Sequence, residues 1–372
     1  MFDLKDNTIL LTLAGSQAHG TAREGSDVDV RGVCIAPINT RLSLFESFEQ
    51  YDGLLPGSFK PLLESQLSAR PEILSAMKVK AEAVVYDIAK FVGLCAKANP
   101  NALEILFADP DDWLYHNEHW DKLNQHRMIF LTQKVRHTFA GYALAQLKKI
   151  KTHRAWLLNP PAAKPTREKF GLPDASTLSR DDQDRIERSL AERLRAYGLN
   201  NIDMSKAARL AVEDCLREFW TDTLSTSEEE LSERMRALSS SALGIPKEVI
   251  KTLNAERKYR GAMGQWQAYQ SWKTNRNPAR AKLEAEHGYD TKHAMHLIRL
   301  MRMGLEAIRD GELRVRRPDA AELLEIRDGA LSYDKLIEQT DELKQNIDCT
   351  ECRLPEDIDR RQVDELVLSL IR

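Results

Sequence analysis

The sequence predicts an α+β protein: a mixed strand-and-helix module over roughly the first 115 residues, followed by a larger, mainly α-helical part. Three observations predict it. Short apolar runs at Ile9–Leu13, through Val28, Val30, Val33 and Ile35, and at Ala81–Tyr86 have strand character and lie close together in the first ninety residues. Beyond about residue 110, apolar residues recur at helical spacing and strand signals fade. Proline-rich residues 159–173 interrupt that helical part as an irregular surface loop. The expected division is therefore 1–115 for the first module and 116–372 for the helical domain.

The elements follow in order. After the Ala81–Tyr86 strand, Ile88–Ala98 reads as an amphipathic helix stopped by Asn99-Pro100-Asn101, and Ala102–Phe107 as a further helical turn closed by Asp109-Pro110-Asp111. A long periodic segment covers about Met128 to Lys151. Residues 180–275 read as helical, with Ser227 and Glu230 spaced as a capping box and Gly244-Ile245-Pro246 as a break. Asp290 is a good N-cap for a helix to about Arg309, Gly311 terminates it, and helices at about 319–327 and 332–346 follow.

With 372 residues, 42% hydrophobic and 30% charged, the chain can bury a substantial core. No run approaches the roughly 18 apolar residues of a membrane span, and the N-terminus lacks a basic-then-apolar leader, so a cytoplasmic location with no membrane partner is expected. Five cysteines, Cys34, Cys95, Cys215, Cys349 and Cys352, do not resemble a disulfide framework. A net charge of −3 does not announce nucleic-acid binding, yet two local patches do carry cations. Arg257–Lys282 has seven Lys or Arg and no acid, interleaved with Tyr259, Trp266, Tyr269 and Trp272, and Gln133–Arg154 has six cationic residues, again without an acid. The first patch could stack bases with Arg276 and Arg280 on phosphates, but tryptophans three apart on a helix more often make a core stripe.

The chemistry concentrates near the N-terminus. Leu13-Ala14-Gly15-Ser16-Gln17-Ala18-His19-Gly20 is a small-residue turn after a strand, and Ser26-Asp27-Val28-Asp29-Val30-Arg31-Gly32 opens the next strand. Residues i and i+2 of a strand face one side, so Asp27 and Asp29 share a face and suit hard divalent cations. Gly15 and Ser16 allow backbone N–H groups to approach a phosphate. The pairing suits metal-assisted nucleotidyl transfer, in which two cations would neutralise the phosphates and activate the attacking oxygen.

A third carboxylate comes from Glu82-Ala83-Val84-Val85-Tyr86-Asp87. Alternation puts Glu82, Val84 and Tyr86 on one side and Asp87 on the other, where Asp87 has an alternative place as a helix N-cap; Glu82 is favoured. Arg31 shares the face of the aspartates and either meets a phosphate or offsets their repulsion. His19 either orients a triphosphate or is structural. Lys292, His296 and Arg299 stand at i, i+4 and i+7 as one cationic stripe, by default a solvated face. His293 and His296 have HxxH spacing but no further ligands apparent, and Cys349-Thr350-Glu351-Cys352 is a lone CxxC with no function assigned.

Gly-Ser, the spacer and Asp-x-Asp together resemble the DNA polymerase β nucleotidyltransferase superfamily. Gly-Ser-x-Ala-x-Gly and Ser-Asp-x-Asp-x-Arg-Gly resemble, within it, the RNA-ligase-associated (RlaP-like) predicted nucleotidyltransferases. The likeness extends to His153–Leu158 with Pro165-Thr166-Arg167, to Arg276-Asn277-Pro278 and Gly288–Leu297, and to Gly311-Glu312-Leu313, Pro318-Asp319 and Ile326–Gly329.

The resemblance implies a polymerase β-like domain and transfer of an NMP from an NTP, with Mg²⁺ or Mn²⁺, to an acceptor that is an RNA end, such as that of a tRNA. It also implies that Asp27, Asp29 and Glu82 hold metal, although glutamate departs from the more usual aspartate there. Gly15 and Ser16, with His19, Arg31, Lys292 and His296, would then contact the nucleotide; for Lys292 and His296 the resemblance favours the cleft over the solvated face. Rival functions are protein adenylylation or a toxin–antitoxin-type transferase, and an inactive RNA-binding protein. The length of the helical part argues against the first and the intact Gly-Ser and Asp-x-Asp against the second.

Overall fold

The computed structural model describes residues 2–68, 70–79, 81–176 and 247–371, together with a few positions between 179 and 188. Cys215, the Ser227/Glu230 capping box, the Gly244-Ile245-Pro246 break and most of the helix expected over 180–246 lie outside the described residues.

The described chain forms two compact units, Met1–Asn159 with Asn277–Arg372, and Pro160–Arg276. The expected boundary at 115/116 falls inside the first unit, because helices on both sides of it share one apolar core.

The first unit is built on a five-stranded sheet in the order β3-β4-β2-β1-β5. The strands are β1 (Thr8–Ala14), β2 (Val28–Cys34), β3 (Gln50–Leu54), β4 (Ala81–Asp87) and β5 (Trp113–His116). Only β2 and β4 run parallel; the other neighbours are antiparallel. The turn expected after β1 is a short helix, α1 (Gly15–His19). It is followed by α2 (Ile38–Arg41), α3 (Lys60–Gln66), α4 (Pro71–Val79), α5 (Ile88–Ala96), α6 (Pro100–Leu106) and α7 (Glu118–Gln125). The helix expected from Met128 starts later: Arg127–Phe130 is a 3-10 turn and α8 runs Val135–Leu158.

Alternation divides the sheet's residues between two cores. Leu11, Leu13, Val28, Val30, Ala83 and Val85 pack with Phe59 and Leu63, on the side of α3 and α4. Ile9, Leu10 and Val33 pack with α5 to α8 and with the C-terminal helices. Along the second face the register runs Leu10↔Val33, Thr12↔Arg31, Ala14↔Asp29, so one pleated surface passes from apolar core to charge within two pairs. The charged end, beside α1, is where a polar ligand can approach.

The first unit's C-terminal helices are α10 (Pro278–His287), α11 (Thr291–Asp310), α12 (Ala320–Arg327), α13 (Tyr333–Cys349) and α14 (Arg360–Ile371); α9 (Lys247–Thr274) lies in the second unit. Asp290 caps α11, accepting from the His293 N–H, and Gly311 ends it in the left-handed conformation, as the sequence predicts. The α8 residues Val135, Phe139, Ala143, Leu147 and Ile150 form one stripe buried in the core that α11 shares. Among the described residues no helix is long and apolar enough to cross a membrane.

In the second unit the loop after α8 is irregular apart from a 3-10 turn at Glu168–Phe170. Arg167 forks onto the buried Glu256 carboxylate and lies over the Tyr259 ring, so it is committed to packing rather than to a ligand. On α9, Trp266, Tyr269 and Trp272 follow one another with ring centroids 6.0 Å apart at each step; Tyr269 is buried and the two tryptophans are half-buried.

Candidate active site

Asp29 sits on β2 opposite Ala14 of β1 and opposite Glu82 of the parallel strand β4. Partners across adjacent strands are about 4.7–4.9 Å apart, so the two carboxylates are neighbours on one face. Asp27 lies just ahead of β2 and is exposed, as is Glu82, while Asp29 is half-buried. Like charges placed opposite one another repel, so the cluster calls for a cation. Arg31 supplies part of it: its Nη2 is 3.7 Å from Asp29 Oδ1, while its Nη1 donates to the Val30 carbonyl.

Gly15 opens α1 at φ +58°, and a Cβ there would stand 2.6 Å from Asp29 Oδ2. Glycine is thus required both by backbone conformation and by the aspartate lying against it. Next to it, the Ser16 hydroxyl makes no hydrogen bond among the described residues, while the Ser16 carbonyl accepts from Thr21 N–H and closes the turn.

Asp87 has the alternative place. It caps α5 through Ala89 N–H, accepts from Ala36 N–H, pairs with Arg41, and is buried on the other side of β4 from Glu82.

His19 is placed beneath the turn rather than on its surface. The side chain is buried and its Nε2 is 3.1 Å from Glu104 Oε2, whose other oxygen accepts from Arg299. Burial alone would raise the Glu104 pKa, but the Arg299 guanidinium and His19 outweigh it and hold it well below the usual carboxylate range. Burial and then Arg299 push His19 down, so its ring is neutral. The carbonyl of His19 also accepts from the N–H of Arg317, whose side chain is clamped by Glu306 and Asp319.

The expected cationic stripe on α11 changes character along its length. Arg299 is buried against Glu104, and His296 is pushed well below its ordinary value by burial, then by Arg299 and His19, leaving it uncharged. Only Lys292 remains an exposed cation. Its ammonium is held below the usual lysine value first by lost hydration and then by Arg280 and Arg327, against the opposite pull of Asp27 and Asp29. Asp27 and Asp29 are thus near enough to Lys292 to act on its charge.

Arg327 and Arg23 border the same turn. Arg327 donates to the Thr21 carbonyl at 3.4 Å; Arg23 donates to the Leu324 carbonyl and pairs with Asp328. Glu104, Arg23 and Arg327 escaped the sequence reading as site residues because their partners lie 85 to 306 residues away. The only signal was the Ile326–Gly329 likeness.

Residues 4–157 match the model of RlaP, the RNA repair pathway DNA polymerase beta family. This segment is RlaP-like. It runs from before β1 through α8, less than half the chain, and bears out the resemblance seen in the Gly-Ser and Asp-x-Asp motifs. The RlaP-like segment contains Gly15, Ser16, Asp27, Asp29, Glu82 and Glu104, whereas Lys292, His296 and Arg327 lie beyond it. A DNA polymerase beta-like family suggests a nucleotidyltransferase. No curated protein and no solved structure matches the chain.

Proposed function

We propose that the chain is a divalent-metal-dependent nucleotidyltransferase that moves an NMP from an NTP to the end of an RNA. The observation that carries this reading is the carboxylate pair Asp29 and Glu82 on adjacent strands, with Asp29 packed against a glycine that has no room for a side chain. Oxygen-only donors of this kind fit Mg²⁺ or Mn²⁺, with Asp27, Asp29 and Glu82 as the holding residues. Bound there, the ion would supply charge neutralisation at the α-phosphate.

The chain's own residues do the rest. Ser16 and the N–H groups of α1 receive the β- and γ-phosphates. Lys292 adds a positive charge on the exposed side, and Arg327 adds another at Thr21. Glu104, bridging His19 and Arg299, fixes the turn from below so that these donors are already oriented. His19 therefore acts as a positioning residue in this reading, and His296 contributes a neutral ring. The RNA acceptor is supported by the family's printed description and by the aromatic series on α9. The free, buried thiols of Cys34 and Cys95 suit a reducing, cytoplasmic compartment.

The test is incubation with each α-³²P-labelled NTP, Mg²⁺ or Mn²⁺, and total RNA or cell protein, beside an Asp27→Asn/Asp29→Asn control. Label in RNA that disappears in the control supports the proposal and names the base. Label confined to protein would move the acceptor to a polypeptide. RNA binding without NTP consumption would overturn transfer altogether.

A further inference from the structure

The N-terminus of α11 holds a cluster that the nucleotidyl-transfer site does not use. Asp290 is fully buried, and two imidazoles from different helices face one of its oxygens: His153 Nδ1 of α8 at 3.5 Å and His293 Nε2 of α11 at 3.6 Å from Oδ2. One ligand atom from each of the three residues lies within 4.8 Å of the others.

These separations are long for hydrogen bonds, whose N···O distances centre near 2.9–3.0 Å. They match what a shared ion imposes. Bonds of about 2.0–2.2 Å in tetrahedral array leave neighbouring ligand atoms about 3.3–3.6 Å apart. His293 adds an independent observation. Its Nδ1 is buried with no hydrogen-bond partner among the described residues, and its Nε2 has only the distant carboxylate. A half-buried imidazole whose buried Nδ1 has no partner needs an explanation.

We propose that His153, Asp290 and His293 form a binding site for a borderline-soft divalent cation, zinc or cobalt in class, that clips α8 to α11. The ligand chemistry decides the class. Two imidazoles and one carboxylate suit zinc-type ions, whereas Mg²⁺ prefers oxygen and water. The sequence hinted only at HxxH between His293 and His296; the structure joins His293 instead to a histidine 140 residues earlier in the chain.

Arg280 donates to both oxygens of Asp290, Nε to Oδ1 at 3.2 Å and Nη2 to Oδ2, and its Nε lies 3.5 Å from the buried Glu284 carboxylate. Arg280 on Asp290 then acts as the outer partner that orients a metal-bound carboxylate. The site is independent of the nucleotidyl-transfer reading.

The full-length chain, stripped with chelator, is titrated with Co²⁺ by visible absorbance and with Zn²⁺ by elemental analysis after desalting. One equivalent per chain is expected, with binding weakened at least about tenfold by His153→Ala and by His293→Ala. Zn²⁺ in hundredfold excess over its Kd should raise the Tm of the wild type by a few degrees and leave that of His293→Ala unmoved. Cys349→Ser/Cys352→Ser and Asp27→Asn/Asp29→Asn should both keep the full equivalent. Failure of the wild-type chain to take up either ion, retention of binding by both histidine variants, or loss of binding in the cysteine variant would overturn the proposal. The wild-type titration decides even where a histidine variant does not fold.

Discussion

Gly15→Ala separates backbone strain from damage to the site. Two costs are built into position 15: φ of +58°, and a Cβ 2.6 Å from Asp29 Oδ2. A residue with a Cβ in the left-handed region loses about 1–2 kcal/mol. Gly25 has the same kind of φ, +74°, but nothing within 4 Å of its would-be Cβ, so Gly25→Ala isolates the strain. Both variants should therefore lose about 1–2 kcal/mol in urea unfolding. Only Gly15→Ala also forces Asp29 away from its seat. A displacement of about 1 Å in a metal-holding or reacting group costs on the order of a hundredfold in rate. The assay is NMP transfer from labelled NTP at saturating Mg²⁺, read as kcat/KM beside the urea midpoint. Equal transfer rates for Gly15→Ala and Gly25→Ala at equal stability would refute the argument that Gly15 is kept for Asp29.

Glu82 and Asp87 should part company in the same pair of assays. Glu82→Gln is expected to leave stability within about 0.5 kcal/mol and to abolish most transfer, because the side chain is exposed and faces Asp29. Asp87→Asn keeps the cap but breaks the buried pair with Arg41, so it should cost about 1–3 kcal/mol in urea and leave transfer near wild type. Lys292→Met should cut kcat/KM for NTP about 10–100-fold, the weight of a charge-assisted contact, with no change in urea midpoint.

Glu104 carries a pH prediction. Its folded pKa lies below its unfolded value of about 4.3, so its contribution is present above that pH and is lost as pH falls through the window beneath it. The stability gap between wild type and Glu104→Gln should hold steady from pH 7 to 5. It should then close by up to about 1.4 kcal/mol per pH unit below 4.3; a gap that stayed constant to pH 3 would sink the ion-pair account.

The part of the site legible in the sequence is the part governed by strand alternation. Asp29, Arg31 and Glu82 stand on one face because β2 and β4 alternate cleanly, and Gly15-Ser16 marks the turn that meets them. The strands β3, QYDGL, and β5, WLYH, were missed because neither shows the apolar alternation of a half-buried strand; both sit at the sheet's edges, where pairing and not burial defines them. α1 was read as a turn because five small or polar residues carry too little periodicity to signal a helix. Strand signals end near position 115, but apolar residues on either side of it cooperate in one core, which periodicity within a single segment cannot reveal.

On α11 the default of a solvated stripe holds for Lys292 alone of the three stripe residues. A helix that contributes Ala294, Met295, Leu297, Ile298 and Met301 to the core has little perimeter left for water, so its polar residues must find protein partners. Arg299 finds Glu104, and Glu104 reaches His19 under the phosphate-facing turn. Removing either charge would leave the other buried and unpaired, which costs more than the pair contributes. The turn's geometry is thereby made dependent on α11, some 280 residues away in sequence, and Lys292 is carried in the first turn of the same element, two residues after its cap at Asp290. One helix thus sets both the donors beneath the turn and the cation facing it. Damage to the Asp290 end should consequently appear as a shift in NTP affinity through Lys292 before it appears as a loss of fold.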